Sequence, residues 1–176
     1  MKVLNKLMIL GLSGVFLPQI AQAKQSVCVF DLLGKAGESY KLMEEWALAA
    51  KVWGGDIQLI AYQNETRADQ DFKAGKCDAV AMTTMRSREY NKFGGSIDAL
   101  GGVTNNVIAQ KAITFALDKR NAKRLVSTKN GVKYELAAIS QIGLAYIFVR
   151  DRSINTLEKG VGKKFAYLDY DIAQKI

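Results

Sequence analysis

The sequence predicts an α/β fold built on a parallel sheet. Two observations carry this. Ser26 to Leu33 (SVCVFDLL) is apolar at nearly every position, which suits a strand covered on both faces. From there to Thr83 the pattern alternates strand, helix, strand, helix, strand, which calls for parallel pairing through right-handed crossovers.

Ahead of that strand lies a leader. Lys2 and Lys6 make a basic start, Leu7 to Phe16 an apolar stretch, and Ala21-Gln22-Ala23 a small-x-small cleavage site after Pro18. These three parts in this order predict a signal peptide over residues 1–23 and export of the remainder. The apolar stretch is too short to span a bilayer, which takes about 20 residues. No later segment is long and apolar enough to cross, so the mature protein is expected not to span a membrane.

After the first strand, Gly34 to Gly37 makes a tight turn. The first helix is expected over Glu38 to Trp53, with an apolar stripe of Leu42, Trp46, Ala49 and Trp53 at i, i+4, i+7, i+11, widened by Met43, Ala47 and Ala50. Gly54-Gly55 stops it. Asp56 to Gln63 reads as the second strand, Asn64 to Gly75 as a short polar helix, and Cys77 to Thr83 as the third strand. Arg86 to Asn91 reads as one helical turn, followed by a loop-rich stretch marked by Gly94-Gly95 and Gly101-Gly102. A longer helix is expected over Asn105 to Val126, with Ile108, Ala112 and Phe115 on one face and a basic end (Lys119, Arg120, Lys123, Arg124) that suits a helix C-terminus. Val132 to Ala138 and Gly143 to Val149 read as strands, Ser153 to Gly160 as a small helix, Lys163 to Leu168 as a strand. The last residues, Tyr170 to Ile176, open a helix of a single turn, the ending expected of a truncated chain.

Composition narrows the chemistry. The chain has no His and a single Pro, which lies in the leader. Without His there is no Ser-His-Asp triad, no Cys-His pair and no His metal ligand. No metal site, cofactor or enzymatic activity is expected. The two cysteines, Cys28 and Cys77, are expected to pair in an exported protein. Closing a loop of about 50 residues stabilises by roughly 4 kcal/mol in the chain-entropy treatment. The formal net charge is +8, of which Lys2 and Lys6 belong to the leader. No RNP-like, helix-turn-helix or zinc pattern accompanies it, so no nucleic-acid partner is expected. Asn64-Glu65-Thr66 fits N-x-[ST], a frequent chance match to which no role is given.

The candidate site is the set of turns that leave the strands. Ligands of open α/β sheets bind beyond the carboxyl ends of strands, and helix N-termini offer N–H groups there. The first turn supplies Asp31, Leu33, Gly34, Lys35 and Gly37. Arg67 follows the second strand, and Thr83, Thr84 and Arg86 follow the third. Arg86 offers the planar fork that holds a carboxylate through two parallel hydrogen bonds. Neither GxxxxGK[ST] nor GxGxxG is present, so this is not a nucleotide-phosphate loop of either kind.

Three long stretches carry a family resemblance: SVCVFDLLGKAGESYKLMEEWALAAKVWG, CDAVAMTTMRSREYNKFGGSIDALGG and AISQIGLAYIFVRDRSINTLEKGVGKKFAYLDYDIAQK. Together they resemble the AdeT-type solute-binding proteins, exported proteins of Gram-negative bacteria often labelled as components of RND efflux. The family in turn resembles type II periplasmic binding proteins, including those that serve TRAP transporters. The resemblance implies a periplasmic protein of two α/β lobes joined by crossing strands, with a small-molecule solute held between them. Residues 24–140 would form the first lobe, and residues 141–176 the crossing and an incomplete start of the second. It implies delivery to an inner-membrane transporter, or, in the alternative the label suggests, contact with efflux components. TRAP-type proteins often carry an Arg after a GxKxR-like strand start. Gly162-Lys163-Lys164-Phe165-Ala166 has none, which leaves Arg150 and Arg86 as the candidates for that role.

Overall fold

A computed structural model of the chain describes residues 24–98, 102–143 and 148–164. The expected leader, the 165–168 part of the last expected strand and the expected terminal helix lie outside the described residues, as does most of the strand expected over 143–149.

Strand β1 (Gln25–Phe30) lies at the centre of a three-stranded parallel sheet, between β2 (Ile57–Tyr62) and β3 (Ala79–Ala81), in the order β2-β1-β3. The register sets Val29 beside Ala61 on one side and Ala81 on the other. Val27, Cys28 and Val29 are all buried, as the unbroken apolar run requires. Successive side chains point to opposite faces. Val27 and Val29 pack under helix α1 (Glu38–Ala50), with Tyr40 and Met43. Cys28 and Phe30 face the other way, toward Ala68 of α2 (Glu65–Lys73), with Cys77, Ile60 and Val80. The sheet is thus covered on both faces, the α/β layering that the alternation predicts.

The expected disulfide is present. Cys28 pairs with Cys77, just before β3, across a Cα–Cα distance of 5.7 Å. Both residues are buried, so the bond lies inside the β1–α2 layer. Nearby, the Asp78 carboxylate accepts from the Ser26 N–H at 2.7 Å and from its hydroxyl at 2.8 Å, tying the same two strands at their starts.

Helix α1 follows Gly37 as its N-cap and runs through a 3-10 turn (Lys51–Trp53) to Gly54, whose φ of 83° is the left-handed closure that glycine permits. Its inward face is the flank of the expected apolar stripe rather than its centre. Tyr40, Ala47 and Ala50 are buried with Met43 beside them, while Leu42, Trp46, Ala49 and Trp53 are exposed. The small residues let the helix axis come close to the sheet, and the bulky stripe is turned away from it.

Beyond β3 the chain makes two short helices, α3 (Thr84–Ser87) and α4 (Lys92–Gly95), then α5 (Asn106–Ala116). Each is N-capped by the side chain before it: Thr83, Asn91 and Asn105. α5 ends ten residues short of the expected Val126. The Asp118 side chain caps a separate 3-10 segment, Lys119–Arg124, which takes up the basic cluster. Here too Ala109 and Ala116 are buried while Phe115 is exposed. The remainder becomes strand β4 (Val126–Lys129), paired antiparallel with β5 (Val132–Glu135). Asn130 and Gly131 at the turn have φ of 51° and 78°, the pair of left-handed residues a two-residue hairpin needs. The small helix expected from Ser153 is shorter, α6 (Leu157–Gly160).

The hairpin is held to the first layer by an aromatic and ionic cluster. Phe72 of α2, Tyr90 and Tyr134 of β5 meet with ring centroids 4.8 to 6.0 Å apart. The Tyr90 hydroxyl donates to the Asp69 carboxylate. Burial, reinforced by Asp69, pushes that phenol far above its usual pKa, so it remains a donor. Lys73 bridges Asp69 at 2.9 Å and Glu89 at 3.0 Å, and Lys129 of β4 reaches Glu89 at 2.6 Å.

Three outcomes follow from these contacts. Replacing both cysteines with Ser is expected to lower stability by about 2–5 kcal/mol, seen as an earlier urea midpoint in the non-reduced protein. A Cβ at Gly37 would stand 1.7 Å from Asp31 Oδ1, so Gly37→Ala displaces that carboxylate. A loss of about 1–3 kcal/mol is expected in the native background and much less in an Asp31→Ala background, measured as a double-mutant cycle. Hydrogen bonds from Lys129 and Lys73 hold the Glu89 carboxyl below its usual pKa. Its stabilising contribution is therefore present above the ordinary carboxylate range and lost as pH falls through the lowered value. Amide exchange in β4 and β5 should accelerate on acidification, and Glu89→Gln should flatten that dependence.

Candidate functional site

Because β1, β2 and β3 run the same way, the segments leaving them emerge along one edge of the sheet. The Asp31 N–H donates to the Tyr62 carbonyl at 2.9 Å, setting the first turn directly against the end of β2. The first turn, the Gln63–Arg67 segment and Thr83–Arg86 therefore share this rim, the arrangement anticipated from the turns.

Asp31 is buried and fully engaged at the first turn. One oxygen accepts from the Leu33 N–H at 2.9 Å. The other accepts from the Ser39 and Tyr40 N–H groups at 2.9 and 3.3 Å. It stands where a ligand anion would sit at the start of α1, and it supplies the negative charge that the helix end favours. Gly37 is required beneath it because any side chain there would collide with the carboxylate. Gly34 adopts a φ of 59° and packs near Gln63, whose amide reaches the Leu32 carbonyl at 3.4 Å. Those three residues build the turn, while Leu32, Leu33 and Lys35 project from it. The two leucines are 66% and 67% exposed.

The second and third turns are tied to each other. Asn64 caps α2 through the Arg67 N–H at 2.9 Å. The Arg67 guanidinium turns along the helix to Asp71 at 3.5 Å and stays largely exposed. Glu65 is buried, and its Oε1 accepts from the Thr83 N–H at 2.6 Å. Burial raises its pKa, opposed by the hydrogen bonds from Thr83 and by the nearby Arg86. Arg86 donates through Nη2 to the Thr66 hydroxyl at 3.0 Å, with its Nε 3.9 Å from Glu65. Thr83 caps α3 through the Arg86 N–H. Thr84 is the first residue of α3 and is half-buried.

Nine of the ten candidate residues thus belong to one rim. Arg150 does not join them through the sheet. It sits exposed in a bend, and among the described residues no strand pairing links its segment to β1, β2 or β3. Glu65, overlooked in the sequence because a polar residue opening a helix looks solvated, is the buried link between two of the turns. The Asn64 cap was signalled by its position just before a helical stretch.

Two open depressions lie elsewhere. One, of about 550 Å³, is bounded by Tyr90 and Phe93, by Arg124 and by Ser127 to Lys129. The other, of about 420 Å³, lies against Val107, Lys111, Phe115 and Arg120 on the outer side of α5. Neither includes a residue of the rim. Among the described residues no group of three or more acidic or Cys side chains is placed to hold a metal ion, and no helix is long and apolar enough to cross a membrane.

Comparison with known proteins adds to this geometry. The description of solute-binding protein AdeT 1/2 fits residues 43–176. The chain is 44% identical over 146 residues to a protein of Acinetobacter baumannii named probable solute-binding protein AdeT1. That alignment covers 83% of the chain and 47% of the relative, so the chain spans about half the relative's length. No solved structure matches. A match over most of its length, together with that identity, shows that the chain belongs to the AdeT 1/2 family of solute-binding proteins.

Proposed function

We propose that the chain is an extracytoplasmic solute-binding protein that takes a small solute along the rim and delivers it to an inner-membrane transporter. The observation that carries this reading is the parallel sheet, which lines up three successive turns on one edge. The family and the buried disulfide support a location outside the cytoplasm. Export would follow from the leader over residues 1–23, and the periplasm is the compartment this reading requires.

The rim suggests what kind of solute it takes. Asp31 and Glu65 are turned inward and tie the turns together, so they serve as supports. The groups that project are Leu32, Leu33, Lys35 and Arg67, with Thr84 and the Arg86–Thr66 pair beside them. Two apolar side chains next to cationic and hydroxyl donors suit a solute with an apolar body and an acceptor-rich polar group. In this reading residues 24–140 act as one lobe, and residues 141–176 carry the crossing and the start of a second. Closure of the second lobe over the solute would then bring Arg150 to the rim and present a new surface to the transporter.

The test is a thermal-shift and calorimetry screen of the purified protein against small amphiphilic solutes. A true ligand at a hundredfold its Kd should stabilise by about 2.7 kcal/mol. Lys35→Ala and Leu33→Asp should each weaken that ligand about tenfold or more and leave the unliganded melting temperature unchanged, because both side chains are exposed. A screen without any shift, or a ligand indifferent to both substitutions, defeats the rim assignment.

A further inference from the structure

The outward stripe of α1 is an exposed apolar face that the binding rim does not use. Leu42 and Trp46 are 47% and 46% exposed, and Val52 and Trp53 on the continuing 3-10 turn are 82% and 81% exposed. Isolated surface leucines need no explanation, but a run at core-like helical spacing marks an interaction face. We propose that this face is an interface between two copies of the chain, with the α1 helices packed antiparallel about a two-fold axis near Ala47 and Leu48.

The order of side chains selects that occupant. About such an axis Trp46 of one copy meets Ala49 of the other, and Leu42 meets Trp53, so each large side chain faces a smaller one. The charges agree. Glu38, Glu44 and Glu45, with Lys41, lie in the first half of the helix, and the second half with its 3-10 turn carries only Lys51. An antiparallel arrangement separates the two acidic halves and opposes the helix dipoles. A parallel one would set Glu against Glu. The exposed stripe amounts to on the order of 500 Å² of apolar surface per copy, the size of the dry centre of a standard interface of about 800 Å² per partner. A two-fold contact of this kind is self-complementary and closes on itself.

Trp46 and Trp53 are the only tryptophans of the chain, so intrinsic fluorescence reports on this face alone. Sedimentation of the purified protein should show a concentration-dependent dimer. As it forms, tryptophan emission should move to the blue and acrylamide quenching should fall. Trp53→Glu and Ala49→Trp should each weaken the dimer at least tenfold with the circular dichroism spectrum unchanged, since both positions are exposed. The first removes the anchor, and the second fills the space that receives Trp46. A monomer persisting to about 100 µM overturns the proposal. So does a dimer that both substitutions leave intact, or a monomer whose emission shifts only when anionic phospholipid vesicles are added, which would assign the face to a membrane surface.

Discussion

Strand β1 pairs in parallel on both sides, and the rest of the described structure depends on that constraint. A strand with neighbours at both edges and helices on both faces has its central backbone groups bonded and its central side chains dry. Parallel pairing then dictates that the chain return to the same end of the sheet after each strand. Asp31, Gln63 and Met82 consequently leave the sheet on one edge. The disulfide reinforces this arrangement inside the layer, joining β1 to the entry of β3, and the adjacent Asp78 ties Ser26 at that same end, away from the rim.

At that edge the chain satisfies its own helix starts. Asp31 serves α1, Asn64 serves α2 and Thr83 serves α3. This changes what the rim offers chemically. Helix N-termini left open would favour an anion, but here buried or capping oxygens already accept from those N–H groups. What faces outward is a mixture of leucine side chains, lysine and arginine stems and hydroxyls. Glu65, between Thr83 and Arg86, ties the second and third turns to each other, which suits the preformed solute-binding surface proposed for the rim.

Much of the architecture was legible in the residues. The continuous apolar run of β1, the alternation of elements and the glycine stops gave the layer order, and two cysteines in a chain whose first 23 residues read as an export leader gave the disulfide. The hairpin was missed although Asn130-Gly131 is a strong hairpin signal, because the preceding residues extend the α5 pattern without a break until Asp118 interrupts it. The centre of the inward face of α1 was misplaced for a different reason, although Met43, Ala47 and Ala50 were read as its flank. Its sequence holds two apolar stripes, one of Leu42, Trp46, Ala49 and Trp53 and one of Tyr40, Met43, Ala47 and Ala50. Periodicity weights the bulkier one. The sheet takes the other, because alanines allow the backbone of the helix to approach it closely. α5 follows the same rule with Ala109 and Ala116.

The sequence by itself determined which segments are strands and helices in the first layer, their parallel direction and the pairing of Cys28 with Cys77, since these follow from local periodicity, turn residues and a count of two thiols. Only the tertiary structure decided which stripe of α1 is covered and whether the rim carboxylates reach outward or inward. An Asp after a strand reads the same whether it awaits a ligand or accepts from the helix beside it. The difference lies in the approach of Gly37 to Asp31 and of Thr83 to Glu65, contacts across 6 and 18 residues that arise once the sheet has brought the turns together.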